Sequence, residues 1–144
     1  FNNIFIYLSG IIGVQLWQGL LRNRCFSSIP GNESLFYTPP NGDFVCSTTS
    51  GMQTCQDIPS VHNTHNFSLC LQSGTNPFLN SISFDNIAYA LIAVFQVVTL
   101  ESWTSILFLV QDVHSYWTWL YFVTLIQVAH YFKNISYASI VFPI

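Results

Sequence analysis

Glu101 is the residue around which chemistry can be built. It stands in Thr99-Leu100-Glu101-Ser102, inside the apolar run FDNIAYALIAVFQVVTLESWTSILFLVQ of residues 84–111. The nearest acidic side chains in sequence are Asp85 and Asp112, and no Lys or Arg occurs between Arg24 and Lys133. A carboxylate in such surroundings is costly unless something compensates it. A helix ending near Val98 would aim its partially negative carbonyl end at the same place, so both features favour a bound cation. Hard divalent cations take oxygen ligands, and Ca²⁺ accepts variable oxygen geometry at roughly 2.3–2.6 Å. One carboxylate is not a site, but several around an axis are, and rings of Asp or Glu serve as cation filters. The competing reading is that Glu101 caps a second short helix, whose N-terminus stabilises a negative charge by ~0.3–1 kcal/mol. On the residues alone both stand, and they are compatible.

Other constellations are poorer. His62, His65, His114 and His130 are dispersed and make no ligand set. Cys25, Cys46, Cys55 and Cys70 all fall in one polar stretch, match no zinc spacing, and have no His at helical distance. They suit a disulfide framework, with three pairings possible. No nucleophile elbow, Gly-rich phosphate cradle or acid–base pair can be assembled, so the chain reads as no enzyme and needs no resident cofactor. Three basic residues, Arg22, Arg24 and Lys133, leave no patch for nucleic acid.

The elements that must position Glu101 follow from the solvent the chain is written for. Charged residues are only 6% of it and the hydrophobic class 51%, against roughly 25% charged in soluble domains. The composition points to membrane. Residues 1–24 open with an uncharged run long enough to cross the ~30 Å hydrocarbon core, and Asn2, Asn3, Gln15 and Gln18 are expected to face protein. Arg22 and Arg24 mark its exit.

Residues 25–83 change to loop, with Pro30, Pro39, Pro40, Pro59 and Pro77 among Gly, Ser, Thr and Asn. Sequons at Asn32 and Asn66, together with the cysteines, favour an extracellular loop over a cytosolic linker. Residues 84–115 predict a re-entrant hairpin. One helix is capped by Ser83, Asp85 or Asn86 and carries Ile87, Leu91, Val94, Phe95 and Val98 on its face; a second runs from Trp103 to Val110. Residues 116–144 predict another span, belted by Tyr116, Trp117, Trp119 and Tyr121 and interrupted late by Gln127, His130, Lys133 and Asn134. The expected fold is all-α and membrane-embedded, in a single module. Both ends read as cut from a longer chain.

The segment SFDNIAYALIAVFQVVTLESWTSILFLVQDVHS resembles the pore loop of voltage-gated calcium channels, and is most similar to the first repeat of the T-type subfamily. GVQLWQGLLRNRCF resembles the end of that repeat's outer pore helix, and FVCS, GMQTC and IPSV resemble its extracellular loop. The likeness runs over residues 1–126 or so, with a shorter loop. It implies an outer pore helix at 1–24, an extracellular loop at 25–83, a helix–filter–helix pore loop at 84–115 and an inner pore helix at 116–144.

The resemblance also implies roles. Glu101 would be the selectivity glutamate and Ca²⁺ the permeant ion it binds transiently. The carbonyls of Thr99 and Leu100 would line the inner filter, and Trp103 would anchor it. The partners would be three homologous repeats of the same parent chain and membrane lipid, in the plasma membrane. Ser102 replaces a usual Gly, Ser105 replaces a common acidic residue, and the tail HYFKNISYASIVFPI departs from the family's apolar inner helix, reading as an alternative terminus or a mispredicted exon. No Arg-rich voltage sensor is present. A sodium-leak or sodium-selective relative, and a non-conducting fragment with a binding role, are the rival expectations.

Overall fold

The computed structural model describes residues 2–31, 35–39, 43–72 and 75–141, with side chains from Ile4 to Asn134 among them. Five helices appear among these residues: α1 (Asn2–Trp17), a single turn α2 (Pro77–Asn80), α3 (Ile87–Val98), α4 (Trp103–Val113) and α5 (Thr118–Val141). α3 packs on α1, α4 and α5, and α5 packs also on α1 and α4. The fold is mostly helical, as the sequence predicts.

One correction concerns the sheet. The expectation was all-α, yet β1 (Asn23–Ser27) and β2 (Phe67–Gln72) pair antiparallel, with Cys25 opposite Cys70. The first segment accordingly stops being α-helical at Trp17, not at residue 24, and becomes strand at Asn23. The break lies at Gly19, whose φ of 77° is left-handed; a Cβ there would stand 2.7 Å from Gln72 Nε2, so both backbone and space call for glycine. At 16 residues α1 rises about 24 Å. Among the described residues no helix is both long and apolar enough to cross a membrane. In α5 the late polar residues dilute a run that is long enough.

The helical core gathers around Trp17. Its ring stacks on Phe122 at 5.7 Å between centroids and meets Phe84 and Tyr121 edge-on at 5.0 and 4.7 Å. α1 approaches α3 closely because Gly10 and Gly13 leave room; a Cβ on Gly13 would lie 2.8 Å from the Phe84 ring. The Tyr121 hydroxyl donates to the Ser9 carbonyl at 2.8 Å, tying α5 to α1. Gln15 and Gln18 are exposed on this chain, and Gln18 Nε2 donates to the Asp85 carbonyl at 3.1 Å.

A second, smaller core of Cys25, Tyr37, Cys46, Cys55, Ile58 and Phe67 sits in the loop. Of the three possible pairings the structure has Cys25–Cys55 and Cys46–Cys70. Closing segments of 30 and 24 residues, each contributes about 3–4 kcal/mol by the chain-entropy argument. The sulfurs of Cys25, Cys46 and Cys55 lie within 4.8 Å of one another, but as disulfides they offer no thiolate to a metal. Arg24 is buried in this region, its Nη1 donating to the carbonyls of Leu21 and Asn23. Burial holds its pKa below the ordinary value despite the nearby Asp43 charge.

The loop also finishes α4. Ser47 Oγ donates to the Val113 carbonyl at 3.1 Å and the Gln53 N–H to the Asp112 carbonyl at 3.2 Å, satisfying acceptors that a helix end otherwise leaves unpaired.

At the opposite junction Asp85 holds the end of the first segment against the start of α3. Its carboxylate accepts from the Gly19 N–H (2.9 Å), Arg22 Nε (2.7 Å) and Asn76 Nδ2 (2.7 Å), and Arg22 Nη2 lies 2.6 Å away. Burial alone would push the Asp85 carboxyl up, but the bonds from Asn76, Arg22 and Gly19 and the Arg22 charge outweigh it and leave the pKa below its ordinary value. A depressed folded-state pKa stabilises the fold above the unfolded carboxyl's range and loses that stabilisation as pH falls through the folded value. Asp85→Asn is therefore expected to lower unfolding stability by about 1–3 kcal/mol near neutral pH. In denaturant titrations the gap between variant and wild type should close on acidification through and below the carboxyl range. A gap that persists unchanged in strong acid would contradict this account.

Candidate functional site: the turn between α3 and α4

α3 begins where the sequence places it. Asn86 is the N-cap, its Oδ1 accepting from the Tyr89 N–H at 3.1 Å, which satisfies one orphan donor of the first turn. The helix ends at Val98, and Thr99 closes it: the Thr99 N–H donates to the Phe95 carbonyl and Thr99 Oγ1 to those of Phe95 and Gln96. The chain then reverses within four residues. Leu100 N–H donates to Val97 O at 3.1 Å and Glu101 N–H to Gln96 O at 2.9 Å, and α4 starts at Trp103 with Ser102 as N-cap.

Leu100 and Ser102 both take left-handed backbone conformations, with φ of 62° and 53°. For an L-residue that costs roughly 1–2 kcal/mol. The consequence is specific: among the described residues no hydrogen bond is made to the carbonyls of Thr99 or Leu100. Thr99, Leu100, Glu101 and Ser102 are all exposed. The Glu101 side chain makes no hydrogen bond and no ion pair among the described residues. The N-cap position of α4 belongs to Ser102 and no side chain caps it by a hydrogen bond; Glu101 stands one residue before it, beside the helix N-terminus.

Trp103 is half-buried and packs against this chain's own helical core. The two residues that depart from the family pattern share a wall: Ser102 and Ser105 line a cavity of about 240 Å³ with Phe78, Ser81, Ile82 and Gln96. On the other side of the turn a cavity of about 250 Å³ is lined by Val98, Thr99, Ala129, His130 and Lys133. Sequence reasoning did not connect Lys133 with the turn; its isolation as a lone charge in α5 was the available signal. The four histidines form no cluster. Asn66 is exposed, as a glycan acceptor must be, whereas the sequon at Asn32 and the final residues 142–144 lie outside the described residues.

Comparison with known proteins fits this geometry. The ion transport protein family matches residues 3–133, reaching beyond the span of the resemblance read from motifs. The rat voltage-dependent T-type calcium channel subunit alpha-1G is 38% identical over 165 residues, covering 88% of this chain and 7% of that protein. The human T-type subunit alpha-1I is 35% identical and covers the same 88%. The Drosophila voltage-dependent calcium channel type A subunit alpha-1 is 33% identical over 132 residues. The chain thus spans under a tenth of the length of these relatives, which are channels and not enzymes. An alignment of 165 positions exceeds the chain's own 144 residues, so the T-type relative holds inserted residues that this chain lacks.

Ser102→Gly tests the strain in the turn. Removing the left-handed penalty outweighs the ~0.4–1 kcal/mol that a glycine adds to unfolded-chain entropy. A net gain of about 0.5–1 kcal/mol is expected in equilibrium unfolding, and a loss of stability would show that Ser102 is not held left-handed. The chain belongs to the ion transport protein family, and it is similar to subunits of voltage-dependent calcium channels of the T type.

Proposed function

We propose that this chain is the pore module of one repeat, the first, of a voltage-gated cation channel that conducts Ca²⁺ across the plasma membrane. Glu101 supplies one carboxylate of a selecting ring, and three homologous repeats of the same parent chain supply the rest. The observation that carries the reading is the exposed, unpaired Glu101 on a four-residue reversal between two helices. Beside it stand two carbonyls, of Thr99 and Leu100, that find no donor among the described residues. Such oxygens favour a hard cation, and family membership supplies the setting in which several such turns face one axis.

Mechanistically, a Ca²⁺ ion entering from outside exchanges part of its hydration shell for carboxylate oxygens contributed by the ring. It leaves inward past backbone carbonyls, driven by the next ion. Binding must be strong enough to exclude Na⁺ and shared enough to release. Trp103, wedged at the start of α4, keeps the turn from sliding along the axis. The outer face of α1 supports a lipid or inter-repeat environment, since Ile4, Leu8, Ile12 and Leu16 form an exposed stripe one helical turn apart. The disulfide-linked loop of residues 25–83, with its exposed Asn66 sequon, suits the extracellular side.

A sodium-selective relative would share this module and differ in the other repeats. The likeness to T-type subunits favours Ca²⁺ over that reading. Glu101→Gln in the full-length channel is expected to lower the Ca²⁺-over-Na⁺ permeability ratio at least tenfold, read from reversal potentials, while the channel still reaches the surface. An unaltered ratio would remove Glu101 from the filter.

A further inference from the structure

The pore reading has no use for Lys133, yet the structure brings this residue to the filter turn. α4 ends under the extracellular loop at Asp112 and Val113, and α5 starts at Thr118 after four intervening residues. Fifteen residues of helix carry the chain about 22 Å away from that end, to the level of the last turn of α3. There Lys133 lines the cavity shared with Val98 and Thr99. Thr99 lies two residues before Glu101.

No carboxylate stands on that cavity wall, which is completed by Ala129 and His130. No ion pair to Lys133 exists among the described residues, and the enclosed His130 Nε2 has no hydrogen-bond partner. Lys133 is exposed and lines the cavity beside the last residue of α3, with no counter-charge among the described residues. A helix C-terminus carries about half a negative elementary charge, and a permeant cation on its way inward would experience the same field.

We propose that Lys133 is a specificity-determining residue of this module. It is a fixed cation on the inner side of the filter turn that opposes divalent more than monovalent passage. The inference rests on the pore reading above. Coulomb energy scales with the product of the charges, so at any given distance the ammonium repels Ca²⁺ twice as strongly as Na⁺.

The test is recording from the full-length channel that carries this module, with Ca²⁺ or Na⁺ as charge carrier. Wild type is compared with Lys133→Leu, Lys133→Arg and Glu101→Gln. Lys133→Leu should raise Ca²⁺ conductance relative to Na⁺ by about fivefold, and Lys133→Arg should leave the ratio as in wild type. Should Lys133→Leu give no current, Lys133→Cys modified from the cytoplasmic side reads the same quantity. A cationic thiol reagent should depress the ratio and a neutral one of equal size should not. If Glu101→Gln shifts the ratio and removing the Lys133 charge does not, the inference is overturned and the pore reading stands. If Glu101→Gln shifts nothing either, the pore reading itself has failed.

Discussion

The position of the α3–α4 turn depends on a carboxylate at the other end of α3. Asp85 gathers donors from Gly19, Arg22 and Asn76, which fixes the start of α3 against the end of the α1 segment. α3 is a rigid body of 12 residues, about 18 Å, so an anchored beginning means an anchored end. α4 is fixed from the opposite direction, its final carbonyls taken up by Ser47 and Gln53 of the loop. The residues between the two helices are exposed, yet their location is also fixed by contacts that lie far from them. Strained backbone at Leu100 and Ser102 persists only under that kind of constraint.

The α3–α4 hairpin was legible in the sequence to within a few residues because its local signals agree. Asn86 caps, Val98 ends the first apolar run, and Trp103 starts the second. The buried face was not. The sequence suggested Ile87, Leu91, Val94, Phe95 and Val98, whereas burial falls on Ala90, Ala93, Val94 and Val97, with Phe95 exposed. The reason is physical. α3 is apolar all round, so periodicity has little contrast to report, and its large residues Ile87 and Leu91 lie against Gly10 of α1 while remaining only half-buried.

The loop was legible in class but not in detail. Four cysteines in one polar stretch announced a disulfide framework, and both disulfides exist. Their pairing was not in the spacing. The antiparallel pair was missed because NRCFS is too short to show alternation and Phe67, Leu69 and Leu71 were read as loop. Cys25 and Cys70 face each other across the sheet, yet each bonds to a cysteine in the middle of the loop instead. That arrangement ties both strands to the segment containing Cys46 and Cys55, the same segment that caps α4.

Among candidate site residues, chemistry was legible one residue at a time and geometry was not. Glu101 stood out as a carboxylate in apolar sequence, but the sequence could not separate a helix cap from an ion ligand. The backbone leaves both compatible: Ser102 holds the N-cap position and Glu101 stands one residue before it, beside the α4 N-terminus. Left-handed torsions at Leu100 and Ser102 turn the chain while the carbonyls of Thr99 and Leu100 stay out of both helical ladders. The carbonyls of Thr99 and Leu100 belong to exposed residues and are open to water, so the cost that the turn carries is its left-handed backbone at Leu100 and Ser102, roughly 1–2 kcal/mol for each. In the proposed pore a cation would exchange part of its water for these oxygens and the Glu101 carboxylate, at a turn that the anchored ends of α3 and α4 already hold in place.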